Sequence, residues 1–126
     1  MSQTNELEIM ERIALDLEGV EESLASSFNT GAEDFNALIR PLSAAGGKRL
    51  RAQLCLLIAN AGTSIERQRI KIAEAVEMLH LATLIHDDVL DQAEIRRGED
   101  TIHMHKGNKV AILSGDYLFA KAFKIV

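Results

Sequence analysis

Apolar residues recur at Met10, Ile13, Leu17, Val20, Leu24 and Phe28. Steps of three and four residues predict one face of an amphipathic helix over residues 6–28, with Glu and Asp on its outer face. Glu6 and Glu8 fall in the first turns, where the positive end of the helix dipole favours acids. "NTGAEDF" breaks the pattern, with Gly31 expected near a C-cap and Asp34 near the next start. A short helix is expected over 32–40, closed by Pro41, because the residue before a proline avoids the α region. Gly46-Gly47 predicts a flexible turn, and "KRLRAQLCLLIANAG" reads as a helix ending at Gly62. Ser64 is a candidate N-cap for the next helix. No Gly or Pro interrupts residues 66–91, so one long helix is predicted there. "QAEIRRGEDTIHMHKGNK" reads as a polar connection with His103 and His105 at the surface. "VAILSGDYLFAKAFKIV" is a last helical pattern without a stop signal.

Composition sharpens this picture. The chain has 126 residues, 47% hydrophobic and 26% charged, which suits one modest all-α domain. One Pro, one Tyr and no Trp argue against an all-β fold. The net charge of -5 gives the whole chain no attraction for nucleic acid or an anionic membrane. The one cysteine, Cys55, reads as a small core residue and fits a reducing compartment. The N-terminus lacks the basic and apolar blocks of a signal peptide, and "LCLLIA" is too short to be a transmembrane segment. The expectation is a cytoplasmic protein.

The chemistry gathers around "HLATLIHDDVLD", residues 80–91. On a helix, Asp87 and Asp91 stand at i and i+4, about 6 Å apart on one face, with Asp88 round the corner. Two carboxylates so placed can hold Mg2+, which takes oxygen ligands and keeps several waters. They can equally be a solvated helix end. His80 points the same way as Asp87, about 10 Å back along the axis. Alone, such a histidine is ordinarily a packed, hydrogen-bonded core residue; beside a diphosphate it is a donor. Lys48, Arg49 and Arg51 follow the glycine turn at a helix start, where backbone N–H groups favour anions. Arg96 and Arg97 follow the aspartates and can bind phosphate oxygens bidentately. Each basic cluster alone reads as a solvated face. Together with the carboxylates they make a set: cations for phosphate, and carboxylates for the metal that phosphate brings. The apolar "LATLI" segment can line a pocket for a greasy tail.

"GGKRLR", "EMLHLATLIHDDVLD", "RRGEDT" and "GNKVAILSGDYLFAKAF" resemble, in order and spacing from about residue 30 onward, the all-trans polyprenyl (isoprenyl) diphosphate synthases. "DDVLD" looks like the first DDxxD motif of that family. The resemblance implies a large helical bundle around an apolar cavity, ordinarily a homodimer. It implies a Mg2+-dependent transferase that condenses isopentenyl diphosphate with an allylic diphosphate and releases diphosphate. By motif position, Asp87 and Asp91 would carry the metal, with Asp88 supporting, and Arg96 would bind the allylic diphosphate. Lys48, Arg51, His80 and Arg97 would bind isopentenyl diphosphate. Arg49 receives no role and is expected to face solvent. Small residues at Ala82 and Thr83, where the family places an aromatic floor to stop growth, imply a medium or long product.

The sequence departs from the family at three places. Ala52 and Asp100 stand where prolines are common, at a helix start and a turn. No second DDxxD occurs in the 126 residues. Residues 1–126 are therefore expected to be the N-terminal part of a single synthase domain, inactive alone. Competing readings are a non-catalytic subunit of a heteromeric synthase, which would not need intact aspartates, and a metal-dependent phosphohydrolase using His86 and Asp87. A terpene cyclase would share DDxxD but would not be expected to carry "GGKRLR".

Overall fold

Helices account for most of residues 3–44 and 47–126, the residues described by the computed structural model. In chain order they are α1 (Gln3–Ser27), α2 (Glu33–Ala44), α3 (Leu50–Ala61), α4 (Glu66–Leu90), α5 (Ile102–Lys106) and α6 (Asn108–Ile125). A two-stranded antiparallel hairpin, β1 (Ile95–Arg96) with β2 (Glu99–Asp100), lies between α4 and α5. The all-α class expected from composition is what the chain adopts. α4 is central and packs against α1, α3 and α6. The core is drawn from Val20 and Leu24 of α1, Phe28 just past its end, Ile39 of α2, Leu56 of α3, Met78 and Ile85 of α4, and Leu118 of α6. No described helix is long and apolar enough to cross a membrane.

Several local expectations change under packing. The stripe on α1 holds from Ile13 to Phe28, but Met10 is 65% exposed. Gly31 does not adopt a left-handed cap. The α1–α2 turn is instead stitched by buried Asn36, whose Oδ1 accepts Thr30 N–H at 3.1 Å while its Nδ2 donates to the Thr30 carbonyl at 2.9 Å. α2 does not stop before Pro41 but runs through it to Ala44. Ile39 and Ser43, on adjoining turns, are both buried, so packing retains the turn that the missing proline N–H weakens. Ser64 does not cap α4. Its hydroxyl donates to the Ala59 carbonyl at 3.0 Å and satisfies the end of α3. Of the glycine turn, Gly46 lies outside the described residues and Gly47 takes φ 77°.

The polar connection holds more structure than its composition suggests. Arg97 (φ 52°) and Gly98 (φ 82°) form the two-residue loop of the hairpin. Two successive positive φ values are what the right-handed twist of a tight hairpin demands. Arg-Gly is a poor signal for that turn, because a side chain at φ > 0 is ordinarily Asn or Asp.

One buried ion pair ties the far end of α4 to α1. Asp16 is 4% exposed. Arg69 donates Nε to its Oδ2 at 2.7 Å and Nη2 to Oδ1 at 3.0 Å, and Asn60 adds a bond at 3.2 Å. Burial pushes the Asp16 carboxyl up, but the bonds from Arg69 and Asn60, with the charges of Arg69 and Arg12, outweigh it and hold it low. A carboxyl lowered on folding contributes stability that is complete above the ordinary aspartate range and is lost as pH falls through the lowered value. Asp16→Asn is therefore expected to cost about 2–3 kcal/mol at neutral pH, read from urea midpoints. The gap to wild type should close as pH falls below about 3.9. A gap that persists through that range contradicts the account.

Candidate active site

The C-terminal turn of α4 sorts its three aspartates by depth. Asp87 and Asp91 are exposed; Asp88 is buried. Asp91 is the C-cap but keeps a helical backbone (φ -87°, ψ -4°), and its N–H donates to the Asp87 carbonyl at 2.8 Å. The i,i+4 register of Asp87 and Asp91 therefore survives to the last turn. Both lie at the negative end of a 25-residue helix, where free carbonyls and carboxylates together favour a cation. Among the described residues, no group of three or more His, Cys, Asp or Glu forms a metal cage. Two exposed carboxylates with room for water and phosphate oxygens are a donor set that fits Mg2+.

Asp88 turns inward to an arginine. Arg96 donates Nε to both carboxylate oxygens at 3.0 Å and Nη2 to Oδ1 at 2.7 Å. These bonds, ahead of the charges of Asp88, Asp87 and Asp91, hold Arg96 firmly protonated against its partial burial. The loop that delivers Arg96 is pinned as well. Ala93 N–H donates to the Asp88 carbonyl at 2.9 Å, and the Ala93 carbonyl accepts both Thr101 Oγ1 at 2.8 Å and His103 Nε2 at 2.5 Å. His103 is thus half-buried and clamps the hairpin, against the expectation of a surface residue. His105 is exposed as expected.

A narrow cleft runs along α4 behind the aspartates. Arg49, Glu77, His80, Asp88, Arg96 and Arg97 supply its polar lining, and Leu42, Leu81, Leu84 and Ile85 its apolar wall. Burial lowers the His80 imidazole first. Arg51, Arg97 and Arg96 lower it further, and Glu77 opposes them. Arg51 from the first turn of α3, and Arg96 and Arg97 from the hairpin, therefore share one field around His80. Lys48 is exposed in the turn just before α3. Gly47 lies against the guanidinium of Arg97, where any side chain would collide with it.

Four more residues depart from what their sequence context suggests. Arg49 does not face solvent; its side chain is 10% exposed and reaches inward. Glu77 opens the "EMLHLATLIHDDVLD" stretch without an assigned role, yet it lies in the cleft. The available signal is its place on the buried stripe with Leu81, Ile85 and Asp88, where a carboxylate calls for a partner. Ala82 is wholly buried in the core and does not line an open surface, whereas Thr83 is exposed on the side of Asp87. One residue turns the helix by about 100°, which separates the two. His86 is committed to α6: its Nε2 lies 3.0 Å from the Ile112 carbonyl and 3.3 Å from Asp116 Oδ1. Its ring abuts Gly115. With Nε2 so engaged, only Nδ1 would be open to a metal, which disfavours the phosphohydrolase reading.

A family model described as "Polyprenyl synthetase" matches residues 32–126. The chain is 36% identical over 120 residues to solanesyl diphosphate synthase 1, chloroplastic, of Arabidopsis thaliana, covering 90% of this chain and 30% of that protein. It is 34% identical over 118 residues to the octaprenyl diphosphate synthase of Escherichia coli, covering 94% and 36%. It superposes with a TM-score of 0.85 and 37% identity on a polyprenyl synthase from Caulobacter crescentus crystallised with calcium and isoprenyl diphosphate, covering 93% of this chain and 36% of that one. The chain thus spans about a third of the length of the curated relatives it matches.

The field around His80 gives a direct expectation. Its imidazole should titrate below the ordinary histidine value of about 6.5 in an NMR pH titration. Arg51→Ala should move it upward, because one opposing cation is gone. No movement in that variant would place Arg51 away from His80.

Proposed function

This chain belongs to the polyprenyl synthetase family, and on that premise we propose that it carries the diphosphate-binding end of a trans-prenyltransferase. The reaction joins isopentenyl diphosphate to an allylic diphosphate. The allylic carbon–oxygen bond breaks and its electron pair leaves with diphosphate. The isopentenyl double bond attacks the allylic carbon, and a proton is lost to form the new alkene. The observation that carries this reading is the sorting on α4: two exposed carboxylates outward, with a guanidinium locked by Asp88 directly behind them.

In this reading Asp87 and Asp91 hold Mg2+, consistent with the divalent ion bound by the Caulobacter relative. Bound there, the cation would neutralise charge developing on the leaving diphosphate. Arg96 serves the allylic diphosphate, presented in fixed orientation by Asp88. Arg51, His80, Arg97 and exposed Lys48 take isopentenyl diphosphate. A neutral His80 offers that ligand a donor without requiring a proton to be taken up first. The apolar wall of the cleft excludes water that would quench a carbocation. A homodimer in the cytoplasm completes the proposal. The dimer is supported by the family resemblance and by the exposed apolar row Val110, Leu113 and Tyr117 on α6.

Product length belongs to the same reading. Thr83, four residues before Asp87 on its exposed side, is small, and half-exposed Ile72 stands further back along α4. A tail directed from the metals toward the N-terminal end of α4 meets no aromatic at Thr83. The octaprenyl and solanesyl names of two relatives support a medium or long product.

Two experiments on the intact protein test these roles. Asp87→Ala should lower prenyl transfer by at least about 100-fold with unchanged helical circular dichroism. Activity near wild type would remove Asp87 from the site. Thr83→Phe should shorten the products resolved by chromatography. An unchanged distribution in an active variant would place the length limit elsewhere.

A further inference from the structure

α4 buries two carboxylates toward the cleft, and each meets an arginine from a different loop. Asp88 holds Arg96 of the hairpin. Glu77, 3% exposed, holds Arg49 of the "GGKRLR" loop, with Arg49 Nη1 at 3.7 Å from Oε2. We propose that Glu77 and Arg49 are positioning residues: together they fix the start of α3, and with it Lys48 and Arg51, against α4, as Asp88 fixes Arg96. The inference rests on the substrate assignment above, and it concerns two residues that assignment leaves without a role.

Three observations converge on it. Arg49 is left-handed (φ 53°), an uncommon conformation for a long side chain. That backbone lets Arg49 turn inward between two exposed neighbours, Lys48 and Arg51. Its guanidinium then joins three elements. Nε donates to Glu21 of α1 at 2.6 Å, Nη2 donates to the Ser43 carbonyl of α2 at 2.7 Å, and Nη1 faces Glu77 of α4.

The second observation is the start of α3. Arg49 stands at the N-cap but gives no side-chain cap bond. The Ala52 N–H, one of the first-turn amides a capping side chain ordinarily satisfies, donates instead to Glu77 Oε1 at 2.9 Å. α4 therefore caps α3 from outside. Arg51 precedes Ala52, so the same bond sets the rotation of the turn that carries Arg51. The third observation is that Glu77 lies in the cleft with His80 and is the anion that opposes Arg51, Arg97 and Arg96 in their effect on that imidazole.

The test uses Glu77→Gln and Arg49→Asn in the intact protein. Glutamine keeps an oxygen for Ala52 but loses the charge; asparagine tolerates the left-handed backbone but loses the guanidinium. Each should raise KM for isopentenyl diphosphate about tenfold while KM for the allylic diphosphate and kcat stay within about twofold. In Glu77→Gln the NMR titration of His80 should also move lower, a shift that a purely packing role would not produce. A milder variant, Arg49→Lys, should fold readily and show a smaller rise confined to the same substrate. Equal rises for both substrates, or no rise in folded variants, would overturn the proposal. Absence of prenyl transfer in wild type would instead sink the functional reading. The clamp would then stand or fall on the His80 shift and on calorimetric binding of isopentenyl diphosphate to the variants.

Discussion

A carboxylate placed among leucines cannot keep its charge without a partner, since removing it from water costs several kcal/mol. α4 carries such carboxylates at Glu74, Glu77 and Asp88, all nearly inaccessible, and much of the surrounding architecture serves to satisfy them. Ser27 at the end of α1 donates to Glu74 at 2.6 Å. The start of α3 and Arg49 come to Glu77. The hairpin folds back so that Arg96 reaches Asp88. Segments distant in sequence are thus drawn to one helix by the same requirement. In the proposed reading, Arg96 and the residues flanking Arg49 are thereby held where a diphosphate can use them.

The two sides of α4 consequently do different work. Inward carboxylates orient arginines; outward carboxylates, Asp87 and Asp91, remain open for a cation. An arginine in three hydrogen bonds to a fixed carboxylate gives up side-chain freedom on folding rather than on binding, which favours ligand affinity. The backbone reflects the same demand. Arg49, Gln92 and Arg97 all take positive φ beside the site, each costing on the order of 1–2 kcal/mol that the rest of the fold must offset. Strain of this kind clusters where a loop is bent to aim a side chain.

The far end of α4 is secured differently. Asp16, Arg69 and Asn60 join α1, α3 and α4 through one buried, fully bonded cluster. Between the ends, small residues such as Ala73, Ala75 and Ala82 let neighbouring helices approach closely. The helix is therefore held at both ends by charge and along its length by close packing. That arrangement can present rigidly spaced carboxylates at its exposed terminus.

Much of this is legible in the chain itself. Periodicity of three and four residues gives the helices, because a stripe of leucines needs a core whatever the core is made of. The i,i+4 pair Asp87 and Asp91, the basic runs beside them and their order along the chain carry the resemblance to the family, because those motifs depend on spacing within one element or one loop. What the chain does not reveal depends on contacts between elements. Pro41 remains helical because Ile39 and Ser43 are buried on either side of it. Ser64 caps the end of α3 rather than the start of α4. Ala82 and Thr83 are neighbours in the chain but fall on opposite sides of the core boundary. Arg49 faces inward and Glu77 caps a helix it does not belong to, because two residues 28 apart in the chain meet in space. Local pattern determines which segments are helical and which side chains are chemical. Only the tertiary structure decides which charges are buried together, since the energy of burying a charge is set by what lies across from it.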